Sequence, residues 1–180
     1  DVEELSRGAK EVIDPRRARQ CGDGIARQRT LEAAPVAGVM LHVEGSVEPR
    51  AVGATCGGVR IWSVYVPSGR TVDDPHYAYK LDWLLALRNN AEQWIAENPD
   101  LPRALMGDWN IAPTAADMAD PSFVEGRSTH VSPDERSMFA SFEQTLTDVV
   151  RPIVPEGFTF WDYKAGRFPK NEGMRIDFIL

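Results

Sequence analysis

The stretch from Val59 to Val66 (VRIWSVYV) constrains the fold more than any other part of the chain. It is β-branched and aromatic, with Gly57-Gly58 before it and Pro67-Ser68-Gly69 after it, the punctuation of a strand between turns. Leu81, Leu84, Leu85, Trp94 and Ile95 then recur at helical spacing, with Lys80, Asp82, Arg88 and Glu92 between them. That pattern predicts an amphipathic helix ending before Pro99 and Pro102. Arg103 to Met106 reads as a second buried strand, broken at Gly107-Asp108. Ser132-Pro133-Asp134-Glu135 has the form of a capping box with proline at the first helical position, and Met138, Phe139 and Phe142 follow at helical spacing. Phe158 to Trp161 is a third strand candidate and Arg175 to Leu180 a fourth. Strands alternating with helices give an α/β or α+β class, with sheets covered by helices.

A chain of 180 residues is long enough for one domain with a real core. Its 43% hydrophobic and 26% charged content is that of a soluble globular protein, and no apolar run approaches the roughly 20 residues of a membrane helix. Cys21 and Cys56 make no disulfide framework and fit a reducing cytoplasm. The net charge of −7 argues mildly against a polyanionic partner, although a local basic face or a metal site is compatible with it. Residues 1–45 carry Arg16, Arg17, Arg19, Arg27 and Arg29 with few large apolar residues, and read as a solvated segment; 46–180 carries the domain. The chain starts at Asp1 and stops in the apolar run Phe178-Ile179-Leu180, which reads as a piece of a longer protein.

Three places carry chemistry. In Gly107-Asp108-Trp109-Asn110 a carboxylate and a carboxamide stand at i and i+2 after a strand. In extended backbone that spacing would point both oxygens one way, as a hard cation requires. A plain turn explains the same residues, and on spacing alone it comes first. Tyr65, at a strand end, either offers its hydroxyl to a phosphate or sits in the core. Phe160-Trp161-Asp162-Tyr163, followed by Lys164, Arg167 and Lys170, suits a surface gripping a phosphate backbone, or equally a core strand with a solvated basic loop.

Five segments taken together resemble the exonuclease III family of apurinic/apyrimidinic endonucleases, within the endonuclease/exonuclease/phosphatase superfamily. They are SVYVPSGR, ALMGDWNIAPT, STHVSPDER, FTFWDYKAGRFPKN and GMRIDFIL, in the family's order, over about residues 48–180. The resemblance implies a four-layer sandwich of two packed mixed β-sheets flanked by helices, incomplete in this chain. It implies a monomeric, cytoplasmic DNA-repair hydrolase that uses Mg²⁺, or Mn²⁺ in its place. Its substrate would be double-stranded DNA, cut 5′ of abasic sites and trimmed from 3′ ends. By the motif match, Asp108 would be the central acid near the metal, and Asn110 would hold the attacking water or the phosphate, with both as metal-site residues. Tyr65 would donate to the scissile phosphate, and Asp177 would orient a catalytic histidine. Phe160 and Trp161 would line the pocket for the base-free sugar, Phe160 facing it and Trp161 packing beside it, with Arg175 supporting that wall.

Departures from the family pattern matter too. Nothing in residues 1–45 matches the N-x-N block or the Q-E-x-K block with its metal-ligating Glu, and the closing S-D-H-x-P block would lie beyond Leu180. His42, His76 and His130 stand in other contexts, and Ser68 replaces the usual Asn or Gln. The resemblance therefore implies a chain cut at both ends and inactive by itself. A phosphatase of the same superfamily, acting on a small or lipid phosphate, is the alternative, and a non-catalytic remnant a third.

Overall fold

The computed structural model describes residues 50–120, 122–123 and 126–180. The expectations for residues 1–45, with Cys21 and His42, fall outside the described residues.

Strands β1 (Ala51–Cys56) and β2 (Val59–Tyr65) form a hairpin across Gly57-Gly58, both at positive φ as a tight turn between twisted strands requires. Helix α1 (Pro75–Glu97) then crosses over to β3 (Arg103–Asp108), which lies parallel to β2. Helix α2 (Pro133–Phe142) follows, then the short α3 (Arg167–Lys170), and β4 (Asp177–Ile179) returns antiparallel to β3. The sheet order is β1-β2-β3-β4. Sequence reading did not anticipate β1, whose run AVGATC is poor in large residues. Its Gly53 leaves room for the Trp62 ring, which a Cβ there would approach to 2.6 Å.

Alternation along β2 turns Trp62 and Val64 to one face and Ser63 and Tyr65 to the other. Leu105 of β3 and Phe178 of β4 join the first face, where α1 and α2 cover it with Trp83, Leu84, Leu87, Phe139 and Phe142. Burying side chains of this kind stabilises by about 1.5–3 kcal/mol each. Both helices start as their sequence dictates. Asp74 caps α1 by accepting from the His76 N–H at 2.8 Å, with Pro75 in the first turn. In α2 the Ser132 hydroxyl accepts from the Glu135 N–H and the Glu135 carboxylate accepts from the Ser132 N–H, the predicted capping box.

Three expectations are corrected. The buried stripe of α1 is Lys80, Trp83, Leu84, Leu87 and Ala91, so Lys80 lies inside the protein and Leu85 is largely exposed. Phe158 to Trp161 is no strand; only the single bridge Phe160–Met174 forms. There the Thr159 hydroxyl accepts from the Ile176 and Asp177 N–H groups, taking the place of a backbone ladder. The last strand is shorter than Arg175–Leu180, because the Arg175 N–H donates to the Asp117 carbonyl rather than to a neighbouring strand.

The described residues thus form a mixed four-stranded sheet with helices on one face, which is part of the expected α/β sandwich. No helix among them is long and apolar enough to cross a membrane.

Candidate active site

The sheet register brings three of the expected site residues into one row. Tyr65 at the end of β2 is the partner of Asp108 at the end of β3, and Asp108 is the partner of Asp177 at the start of β4. Register partners project to the same side of a sheet, here the side away from the helices. Tyr65 is 55% exposed, so it is not a core tyrosine. The guanidinium of Arg50 lies over its ring at 5.1 Å.

Gly107 makes the row possible. Its φ is +135°, and a Cβ there would meet the Val64 carbonyl oxygen at 2.2 Å. Only glycine lets β3 lie this close to β2 immediately before Asp108.

Beyond Asp108 the backbone turns. Asn110 has φ +50°, so the extended spacing that would aim two oxygens the same way is not formed. Instead the Asp108 carboxylate accepts from the Asn110 N–H at 2.8 Å and from its side-chain amide at 3.1 Å. The same amide donates to the Val66 carbonyl at 2.8 Å, which fixes its nitrogen toward Asp108. The turn and the candidate site are therefore one structure, in which Asn110 holds both oxygens of the acid. Trp109 between them is buried edge-on against Phe139 and Phe142, anchoring the turn to the core.

Under this turn lies a buried polar network that sequence reading missed. The Lys80 ammonium donates to the Asn110 carbonyl at 2.7 Å and pairs with Glu135, both side chains fully buried. His130 Nδ1 meets the same carbonyl at 2.6 Å. A carbonyl only accepts, so that nitrogen carries the proton. Glu135 also accepts from the His130 N–H and the Ser132 hydroxyl, and Ser132 bonds Tyr77. The signal was available: Lys80 stands three, four and seven residues before Trp83, Leu84 and Leu87, in phase with the core stripe.

Burial pushes the Asp108 carboxyl up to about 6; the Asn110 N–H opposes this, the Asp177 charge adds to it and Lys80 counters it. An acid tuned there exchanges protons near neutral pH. Burial, and then the Lys80 charge, pushes His130 down to about 4, so its ring is neutral. Neither His130 nor His76, which lies beside Asp74, touches Asp177.

Phe160 is 41% exposed and Tyr163 91%. Trp161 packs edge-on between Phe158 and Phe168, with its indole N–H toward Asn171. Of the basic residues nearby, Arg167 is committed to Asp120 and Glu172. Arg175 is buried; it pairs with Asp117 and Asp148 and lies 4.3 Å over the Phe178 ring.

As hard oxygen donors at one level of the sheet, Asp108 and Asp177 suit a divalent cation in kind. Among the described residues, no group of three or more His, Cys, Asp or Glu side chains is placed to hold one, so the ligand set is incomplete there.

The strand ends of this mixed α/β sheet thus gather a tyrosine and two carboxylates, one of them held by a G-D-x-N turn. The chain belongs to the endonuclease/exonuclease/phosphatase family, which it matches over residues 13–180, starting well before the quoted motifs. It is 26% identical to an exodeoxyribonuclease of Bacillus subtilis, over 86% of this chain and 60% of that protein. It is 30% identical to a DNA-(apurinic or apyrimidinic site) endonuclease of Dictyostelium discoideum, over 67% of this chain and 34% of that one. Among solved structures, a 3′-5′ exonuclease from Neisseria meningitidis superposes with TM-score 0.73 at 33% identity, covering 82% of this chain and 57% of the other. An AP endonuclease from Archaeoglobus fulgidus gives 0.68 at 30%, covering 83% and 58%. The chain spans at most about three-fifths of these relatives.

Proposed function

We propose that the row Tyr65–Asp108–Asp177 is the hydrolytic centre of a DNA-repair phosphodiesterase of the exonuclease III type. It would work in the cytoplasm on double-stranded DNA, cutting 5′ of abasic sites and removing nucleotides from 3′ ends. The observation that carries this reading is the shared register of the three residues on the face of the sheet opposite α1 and α2. Kinship with exodeoxyribonucleases and AP endonucleases supports the choice of DNA.

In the reaction, a water oxygen attacks phosphorus, a P–O bond breaks, and the water's proton passes to the leaving oxygen. Asp108, with a carboxyl near pH 6, is suited to move that proton. Asn110 keeps it aimed through its two donors. The exposed Tyr65 phenol would donate to a phosphate oxygen, where charge develops. Asp177 would orient a histidine that none of the described residues supplies. Mg²⁺, when bound, would polarise the phosphate as a Lewis acid, with Asp108 as its ligand from this row. Phe160, with the neighbouring Lys164 and Lys170, would meet the DNA.

A substrate panel tests the reading. With Mg²⁺, the intact protein should cleave a labelled abasic-site duplex and a recessed 3′ end, and leave phosphoinositides untouched. Phosphoinositide hydrolysis without DNA cleavage would replace it with a phosphatase of the same family.

A further inference from the structure

The side chains of the Lys80–Glu135 ion pair are both fully buried, and Lys80 lies directly behind Asn110. A buried pair of this kind is weak evidence for stability, since desolvating both ions offsets much of their attraction. Its placement is more informative than its strength. Asn110 is only 6% exposed and holds a left-handed backbone, a conformation of low population even for asparagine. Its carbonyl receives two donors at once, Lys80 at 2.7 Å and His130 at 2.6 Å. The Asn110 N–H donates to Asp108, and its amide nitrogen is shared between Asp108 and the Val66 carbonyl. Holding the carbonyl therefore holds the Asn110 backbone in its turn, and with it the N–H that bonds the acid, while Val66 holds the amide.

Glu135 in turn is tied down by the α2 cap, accepting from Ser132 at 3.0 and 2.7 Å and from the His130 N–H at 3.0 Å. The chain of contacts runs from the α2 N-terminus through Glu135 and Lys80 to Asn110 and Asp108, and every link is a hydrogen bond.

We propose that Lys80 is a positioning residue: by holding the Asn110 carbonyl, with Glu135 as its counter-ion, it sets the orientation of the Asp108 carboxylate. The inference rests on Asp108 being the acid of the hydrolytic centre.

The test is Lys80→Met/Glu135→Gln, which removes both charges and leaves neither buried alone. On an abasic-site duplex with Mg²⁺, kcat should fall about 10- to 100-fold while KM stays within about threefold, as expected when a reacting group is misaligned and binding is not. Hydrogen exchange of the Asn110 amide should quicken selectively, with core strand amides unchanged. Lys80→Arg, which keeps charge and donors, should restore both. If the double variant does not fold, Glu135→Gln alone, isosteric and still able to cap α2, carries the same readouts in the same direction. Unchanged kcat and unchanged Asn110 exchange would overturn the proposal, as would a loss shared by all core amides. If the parent protein cleaves no DNA, the hydrolytic reading fails, and Asn110 exchange alone decides the positioning claim.

Discussion

Asp108 and Asp177 are register partners across the antiparallel β3–β4 pair, two carboxylates at one level of the sheet. Like charges at such a separation disfavour each other's ionised form. Burial is the larger influence on Asp108, and Asp177 adds to it.

The first prediction concerns stability. A carboxyl raised from 3.8 to about 6 on folding takes up protons more readily in the native state. Its favourable contribution is complete below pH 3.8 and is lost as pH rises through about 6. In metal-free protein at pH 7.5, Asp108→Asn should therefore stabilise, by up to about 2 kcal/mol. Urea melts at pH 4 and pH 7.5 check this; the variant should show a smaller loss between the two than the parent.

Asp177→Asn removes the neighbouring charge. The Asp108 carboxyl should then titrate at lower pH, and the acid limb of the kcat/KM profile should move the same way. Turnover should fall more than KM changes. A pure KM effect with an unmoved profile would assign Asp177 to DNA contact instead.

Gly107→Ala should be costly. It forces a side chain onto the Val64 carbonyl at a positive φ, at the register that carries Asp108. The expected loss is about 2–5 kcal/mol from strain and overpacking together. Thermal unfolding measures it, and a neutral result would mean that β2 and β3 are less closely apposed.

Phe160 and Trp161 should separate by phenotype. Phe160 is substantially exposed and backbone-paired to Met174, whereas Trp161 is wedged among aromatic rings. Phe160→Ala should lower the preference for abasic over intact duplex with little change in melting temperature. Trp161→Ala should cost about 1–3 kcal/mol in stability. Paired measurements of cleavage preference and melting temperature on both variants check the division, and reversed phenotypes would exchange the roles.

What was legible in the sequence had local causes. The β2 run, the α2 capping box and the strand ending in Gly107-Asp108 are written in residues that are neighbours in the chain. The class of fold followed from their alternation. What escaped depended on partners far away. β1 exists because β2 pairs with it, and Phe158–Trp161 loses its ladder to the Thr159 side chain. Lys80 was read as a solvated charge because lysines usually are, and its buried partner Glu135 lies 55 residues on. At Asp108 and Asn110 the spacing favoured a plain turn over an extended pair, and a turn is what forms; the left-handed backbone of Asn110 and its hold on the acid were not legible.

The central claim is that Asp108 is the acid of a metal-dependent DNA hydrolase. The direct measurement is turnover of an abasic-site duplex by the intact protein and by Asp108→Asn, in Mg²⁺ and in a chelator, with duplex affinity measured in parallel. The account predicts cleavage only in Mg²⁺, a loss of at least about 10²-fold in the variant, and affinity unchanged or higher. A variant that keeps a third of the parent's activity would contradict it.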